Sequence, residues 1–151
     1  MTTKRDIDEF LAQKTLAIVG VSRSGKKFGN TILKDLTKLG YRLLPVHPEA
    51  PEVDGVRAYP SFAALPEPVG GLIVCVPPAQ AESVVKEAAA HGIRRVWLQQ
   101  GAGSAEAIKS CQENGISVVH GECVLMYPKP TTAWIHGAHR WVWDLLGRTP
   151  K

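Results

Sequence analysis

The sequence predicts an α/β fold with a doubly wound, mostly parallel five-stranded sheet and helices on both faces. Short, mostly apolar runs recur along the chain with helix-like segments between them, as in parallel strands joined by crossover helices. Gly40, Gly92 and Gly115 each stand just past the end of such a segment, where a left-handed residue closes the last helical turn. The 151 residues, of which 44% are hydrophobic, suit a single core.

Five brief apolar runs are predicted to be buried strands, over residues 16–19, 42–46, 72–76, 95–98 and 117–119. Helices are predicted over residues 5–12, 29–39, 78–91 and 104–114. Pro78 suits a first helical turn, and Ser104 is a suitable N-cap. The stretch over residues 47–60 is rich in proline and glycine and is interpreted as loop. A short helix over residues 62–65, capped by Ser61, is predicted to follow it.

The tail after residue 126 departs from the strand–helix pattern. Pro128 and Pro130 interrupt it, and Thr132 can cap a helix that extends to residue 146. Three of the four tryptophans lie here, among apolar residues at helical spacing, so one face of the helix must be buried. We therefore predict one domain over residues 1–126 and a C-terminal helical extension over residues 127–151. The extension packs either on its own domain or against a second copy of the chain, as in a homodimer.

Composition restricts the environment and the partners of the chain. Lys and Arg number 18 and Asp and Glu 14, which gives a net charge of +4 and favours an anionic ligand. No apolar run approaches the about 20 residues that cross a bilayer, and no secretory signal is recognisable, so we expect a cytoplasmic protein without a membrane partner. The three cysteines form no CxxC pair, which disfavours a disulfide framework. Basic and acidic residues alternate, and this pattern does not favour nucleic-acid binding.

The segment between the first strand and the first crossover helix is typical of a phosphate-binding turn. Residues 20–29 read G-V-S-R-S-G-K-K-F-G. The N-terminus of a helix in this place offers unpaired N–H groups and partial positive charge to phosphate, and Arg23, Lys26 and Lys27 strengthen that charge. The alternative is a tight glycine turn that carries solvated basic residues.

Three more specific motifs fail at single residues. Lys27 stands where a P-loop needs Ser or Thr for magnesium. Glycines at positions 20, 25 and 29 do not match G-x-G-x-x-G, and the second strand is followed by His47 and Pro48 instead of the acid that binds a ribose diol. A nucleophile elbow, G-x-S-x-G, requires glycine at position 24, where this chain has Ser24. Ser22 is therefore interpreted as a phosphate or turn ligand. The pattern disfavours a P-loop NTPase, a nicotinamide cofactor and a serine nucleophile.

Four segments match a known family in combination. They are I-V-G-V-S at 18–22 with a glycine at 29, G-Y-R-L-L-P-V-H-P at 40–48, V-P-P at 76–78 and V-W-L-Q-Q-G at 96–101. Over residues 16–126 the sequence resembles the small CoA-binding domain proteins, which are Rossmann-like and related to the CoA-binding domain of succinyl-CoA synthetase alpha chains. The resemblance implies that residues 1–126 form a Rossmann-like domain that binds coenzyme A or an acyl-CoA.

The resemblance also implies which residues contact the ligand. The turn supplies Gly20, Val21, Ser22, Arg23, Lys26, Phe28 and Gly29, the adenosine side Val46, His47 and Pro48, and the opposite wall Val76, Pro77, Pro78, Gln100 and Gly101. A cationic turn suits the phosphates of coenzyme A. Many family members have Asn at the position of His47, and no Lys or Arg closely follows Pro48. Arg23, Lys26 or Lys27 is therefore the candidate for the 3′-phosphate.

The sequence offers no set of catalytic residues. H-G-E-C at 120–123 lacks the cysteine motif that completes a zinc deaminase site, and His136 and His139 lack a third metal ligand. Cys123 is either a reactive thiol or a buried one. We expect a small-molecule-binding protein without catalysis. The alternatives are an oxidoreductase with a nicotinamide cofactor and an interaction protein that works through its tryptophan-rich tail.

Overall fold

Seven strands and four α-helices form in residues 2–127, the part of the chain that this computed structural model describes. In chain order they are α1 (Lys4–Leu11), β1 (Thr15–Val19), α2 (Phe28–Lys38), β2 (Arg42–Val46), β3 (Glu52–Val53), β4 (Val56–Arg57), β5 (Gly71–Val74), α3 (Pro78–Ala90), β6 (Arg95–Gln99), α4 (Ala105–Glu113) and β7 (Ser117–Glu122). The five strands and four α-helices predicted from the sequence are confirmed, and their ends differ from the prediction by at most three residues.

The main sheet has five parallel strands in the order β2-β1-β5-β6-β7. The chain moves from β1 outward to β2, then crosses back to β5 on the other side of β1 and continues to β7. The direction of winding therefore reverses between β1 and β5. Crevices for ligands form at such a reversal, outside the carboxyl ends of the strands.

Helices cover both faces of the sheet, so the Rossmann-like, doubly wound α/β fold is confirmed. On one face α1 and α2 pack in a cluster centred on Trp97, which is fully buried and makes an edge-to-face contact with Phe10 at 5.3 Å between ring centres. The Trp97 indole N–H donates to the carbonyl oxygen of Glu122 at 3.1 Å. On the other face α3 and α4 bury small apolar residues such as Ala81 and Ala107 against the sheet.

The stretch over residues 47–60 is not all loop, so that prediction was wrong for residues 52–53 and 56–57. β3 and β4 pair as an antiparallel hairpin, and Val53 lies opposite Val56. The two residues between them, Asp54 and Gly55, have φ values of +49° and +79°. Positive φ at both positions defines the tight type I′ turn, for which Asp-Gly is a preferred sequence.

The predicted helix after residue 61 is a 3-10 turn of three residues, Phe62–Ala64. The predicted cap is wrong, because the Ser61 side chain makes no capping hydrogen bond. The amide of Ala64 donates instead to the backbone oxygen of Ser61 at 3.2 Å, which is enough to close so short a turn. The C-terminal helix predicted over residues 132–146 lies outside the described residues. Within residues 2–127 no helix has the length and apolar character needed to span a bilayer.

Candidate functional site

A cleft of about 360 Å³ opens at the carboxyl edge of the sheet, beside the reversal between β1 and β5. The start of α2 forms one side, and the segments after β5 and β6 form the other. Six of the residues predicted to contact a ligand line this cleft: Phe28, Gly29, Val76, Pro77, Gln100 and Gly101. Its lining also includes Lys27, a candidate for the 3′-phosphate, and three residues that the sequence analysis missed, Cys75, Gln99 and Ala102.

Two glycines allow the start of α2 to approach the sheet. A Cβ atom on Gly20 would lie 2.5 Å from the backbone carbon of Cys75, and the φ of Gly20 is +106°. Gly29 packs in turn against the backbone of Gly20. A side chain at either position would push the helix away from the strand ends, so these glycines are required by the close packing that forms the floor of the cleft.

The start of α2 presents unpaired hydrogen-bond donors next to the cleft. Lys27 is the N-cap residue, and its side chain makes no capping bond. Within residues 2–127, no oxygen accepts a hydrogen bond from the amides of Lys26, Lys27, Phe28 or Gly29. The partial positive charge of the helix end and four free amides together form a site suited to an anion.

Lysine side chains add full positive charge at the same place. Lys26 and Lys27 are exposed, and neither forms an ion pair with an acid in the described part of the chain. Arg23 differs, because its guanidinium lies 3.5 Å from the carboxylate of Glu49. The two lysines are therefore the cations of this turn that remain available to a ligand.

Glu49 lies in the loop after β2, where the sequence was interpreted as lacking an acid. An acid does follow the second strand, three residues beyond its end at Val46, but its carboxylate pairs with Arg23. Both side chains are mostly exposed, at 71% for Glu49 and 63% for Arg23, so the pair contributes little to stability. Its effect is to join the turn after β1 to the loop after β2.

Ser22 is bonded within the turn. Its Oγ lies 2.8 Å from Oγ of Ser24 and accepts from the Ser24 amide at 3.2 Å. Its own amide donates to Oδ1 of Asn30 at 2.8 Å. Asn30 is fully buried and was missed by the sequence analysis, in which position 30 was treated as an ordinary helix residue. The signal in the sequence that could have identified it is a polar side chain on the apolar face of the predicted helix, three positions before Leu33.

The residues predicted for the adenosine side lie at the end of β2 and do not line the cleft. Nδ1 of His47 accepts hydrogen bonds from the amides of Glu49 at 3.1 Å and Ala50 at 3.0 Å. This ring nitrogen shapes the loop, so in the neutral ring the proton lies on Nε2. Pro48 is exposed, and Pro78, the first residue of α3, is exposed outside the cleft lining.

The cysteine in the cleft has the environment of an unreactive thiol. Burial raises the pKa of Cys75 to about 12, and the nearby Cys123 adds to the shift. Cys75 therefore carries a protonated thiol at neutral pH and acts as part of an apolar wall. Cys123 itself is buried, with 8% of its surface exposed. Residues 2–127 contain no group of three His, Cys, Asp or Glu side chains placed to hold a metal ion.

Comparison with known proteins identifies relatives of this chain. The family described as CoA binding domain matches residues 14–128. The uncharacterized protein YneT of Bacillus subtilis is 28% identical over 123 residues, which are 81% of this chain and 91% of YneT. ADP-forming acetate–CoA ligase II of Archaeoglobus fulgidus is 28% identical over 109 residues, which are 71% of this chain and 16% of the ligase.

Solved structures of small proteins have the same fold as this chain. A hypothetical protein from Pyrococcus horikoshii OT3 is 32% identical with a TM-score of 0.76, over 82% of this chain and 87% of that one. PH1109 redesigned for binding is 29% identical with a TM-score of 0.76, over 99% of this chain and 96% of that one. The chain thus matches most of the length of these small relatives and a minor part of the length of the ligase.

Proposed function

The chain belongs to the family of CoA binding domains, and on that premise we propose that it binds coenzyme A or an acyl-CoA at the carboxyl edge of its sheet. The diphosphate binds at the turn over residues 20–29, and the rest of the ligand extends into the cleft between α2 and the ends of β5 and β6. The observation that carries the proposal is the set of four consecutive amides, from Lys26 to Gly29, at the edge of that cleft that find no acceptor in the described part of the chain.

Electrostatics supports a ligand with phosphate at this turn. Amides at a helix N-terminus donate to phosphate oxygens without the desolvation that a buried cation would need. Lys26 and Lys27 add mobile charges that can reach either the diphosphate or the 3′-phosphate. Arg23 is paired with Glu49, so we assign it a smaller part than the sequence alone indicated.

The walls of the cleft suit the remainder of the ligand. Phe28 is 51% exposed and is the one large hydrophobic side chain exposed among residues 2–127. Together with Val76 and Pro77 it gives the cleft apolar surfaces, and Gln100 adds an amide that can pair with an amide of the ligand. Pantetheine combines these two features, since it alternates methylene groups with amide bonds. Apolar walls with a few polar groups are typical of small-molecule sites.

We assign the chain binding and no chemical step. A thiol such as Cys75 that stays protonated is a poor nucleophile, and the lining that residues 2–127 give the cleft includes no histidine or carboxylate that could activate it. In the ligase relative the matching segment is a minor part of a longer enzyme. We infer that this chain supplies the same kind of unit, which holds a CoA thioester for another protein or senses its concentration.

A panel of ligands in thermal unfolding experiments tests the proposal. We expect coenzyme A and acetyl-CoA to raise the melting temperature of the full chain by similar amounts, because the phosphates carry most of the recognition. A ligand at a hundred times its Kd stabilises the native state by about 2.7 kcal/mol, a shift of several degrees. NAD is the matched dinucleotide control. A shift with NAD and none with coenzyme A would overturn the proposal and favour the oxidoreductase alternative, with Glu49 as the acid that binds the ribose.

A further inference from the structure

The proposed phosphate-binding turn is held from inside by one buried amide. Oδ1 of Asn30 accepts from the amide of Ser22 at 2.8 Å, and Nδ2 of Asn30 donates to the backbone oxygen of Ser22 at 2.9 Å. Asn30 thereby binds both backbone groups of Ser22. Because Asn30 belongs to α2, these bonds fix the turn relative to the helix whose first residues line the cleft.

The second hydrogen of the Asn30 amide bonds to the β3–β4 hairpin, outside the turn. Nδ2 of Asn30 donates to Oδ2 of Asp54 at 2.8 Å, and the Asp54 side chain is only 16% exposed. The other carboxylate oxygen of Asp54 lies 3.8 Å from Nζ of Lys34. A Cβ atom on Gly25 would lie 3.0 Å from the same oxygen, so the turn rests directly on this carboxylate.

The Asp54 carboxylate reinforces the orientation of the Asn30 amide. The oxygen and nitrogen of an Asn side chain are nearly identical in shape, and only their partners decide which way the group points. A carboxylate accepts and cannot donate, so it favours the orientation that the N–H and the carbonyl oxygen of Ser22 also require, with Nδ2 towards the hairpin and Oδ1 towards the amide of Ser22. A flipped amide would present its NH₂ group to the N–H of Ser22 and break the bond that holds the turn.

We propose that Asp54 is a positioning residue of the CoA site, so that the β3–β4 hairpin belongs to the binding machinery although it does not line the cleft. The inference rests on the proposed function. Asp54 acts through Asn30 and Ser22 and keeps the turn in the shape that aims its amides at phosphate. Simple electrostatics predicts the opposite effect, since a negative charge below a phosphate site weakens the binding of an anion. Removal of Asp54 should therefore weaken the binding of coenzyme A if the residue positions the turn, and strengthen it if only its charge matters.

Two substitutions separate the positioning role from the charge. Asp54→Gly and Asp54→Asn both keep a residue that tolerates positive φ, and Gly-Gly and Asn-Gly are both preferred in type I′ turns. Asp54→Asn removes the charge and keeps an oxygen that accepts from Asn30, whereas Asp54→Gly removes both. By calorimetric titration we expect Asp54→Gly to bind coenzyme A about tenfold more weakly than the wild type, and Asp54→Asn to bind at least as tightly.

Other results of the titration would overturn the inference. Unchanged or tighter binding by Asp54→Gly would show that the carboxylate does not position the turn. Binding by Asp54→Asn as weak as that of Asp54→Gly would show that the accepted hydrogen bond is not what matters. Failure of the wild-type chain to bind coenzyme A would remove the proposed function, and a measurement without ligand then decides whether Asp54 holds the turn.

That measurement is amide hydrogen exchange of the unliganded full chain. We expect the bonded amides of the turn, those of Ser22, Ser24 and Gly25, to exchange faster in Asp54→Gly than in the wild type, because the Asn30 side chain that anchors Ser22 loses its bond to the hairpin. Amides in β5 and β6 should exchange as before. Asp54→Asn should retain the wild-type rate in the turn. Equal rates in the turn for wild type and Asp54→Gly would contradict the inference whatever the affinity for coenzyme A.

Discussion

A methyl group placed on Gly29 would lie 2.7 Å from the carbonyl oxygen of Gly20. The first residues of α2 thus touch the backbone at the end of β1, with no side chain between them. Real Cβ atoms do not approach backbone oxygens so closely, and the oxygen belongs to a residue that is itself wedged against Cys75. The position of the helix end, and of the free amides it carries, depends on this contact.

Gly29→Ala is therefore expected to destabilise the protein by about 1–3 kcal/mol, as overpacking does in well-packed interiors, and to weaken the binding of coenzyme A. Urea unfolding measures the stability. Gly103→Ala is the matched control, since the nearest atom to its Cβ would lie at 3.9 Å, which is ordinary contact. Equal stabilities for the two variants would contradict the close packing of α2 on β1.

Lys26→Ala and Lys27→Ala are each expected to weaken coenzyme A binding by about threefold to tenfold, because each removes a charge that has no other partner among the described residues. The loss should shrink as salt is raised, since exposed charges are screened. Calorimetric titration at two salt concentrations measures both effects. Lys38→Ala removes the same charge from the last turn of α2 and should leave the affinity unchanged. A similar loss in that control would indicate a general effect of net charge.

Phe28→Ala should separate binding from stability. The side chain is half exposed, so its removal is expected to change the free energy of unfolding by about 1 kcal/mol or less, while Phe10→Ala, at a position 1% exposed, should cost about 3–5 kcal/mol. Affinity for coenzyme A should nevertheless fall about tenfold in Phe28→Ala, since this ring forms a wall of the cleft. Full affinity in this variant would mean that the ligand avoids that wall.

Glu122 gives the stability a dependence on pH. The residue is 7% exposed, and burial raises the pKa of its carboxyl, although the hydrogen bond from Tyr127 at 2.7 Å opposes the shift. The folded chain thus binds this proton more tightly than the unfolded chain does. Stability is therefore lost as pH rises from the unfolded pKa through the folded one. Glu122→Gln should be more stable than the wild type at pH 7, and the difference should vanish below the unfolded pKa.

Thermal unfolding of both proteins measures the difference in stability between them. A range from about pH 3.5 to about pH 8 covers the titration of a carboxyl group with a raised pKa. The glutamine retains an oxygen that can accept from Tyr127, so the comparison isolates the charge. A constant difference across the range would show that Glu122 titrates normally in the folded protein.

The main sheet could be predicted because each buried strand is a short apolar run between helices that end in glycine. The β3–β4 hairpin was missed, although V-D-G-V at 53–56 contains the Asp-Gly turn signal, since strands of two residues are too short to show alternation. The cap assigned to Ser61 failed for a related reason. Propensity indicates that serine favours such a position, and it does not indicate whether so short a turn leaves an amide to be capped.

Within the candidate site, the parts that depend on topology could be predicted, namely the turn and the ends of β5 and β6. Contacts between side chains of separate loops could not. Asn30 and Asp54 are 24 positions apart, and Arg23 meets Glu49 only because two loops fold over the same edge. His47 is a further example. Its place after the second strand suggested a contact with the ligand, but its Nδ1 accepts hydrogen bonds from amides of its own loop.

The start of α2, where Lys27 leaves the helix uncapped, has a kinetic consequence. Among residues 2–127, no side chain is bonded to these amides, so none of these side chains must first move away when an anion arrives. We expect the association rate to be set by diffusion and electrostatic steering, and to fall with ionic strength without a lag or a saturating step. Differences in residence time would then distinguish one thioester from another.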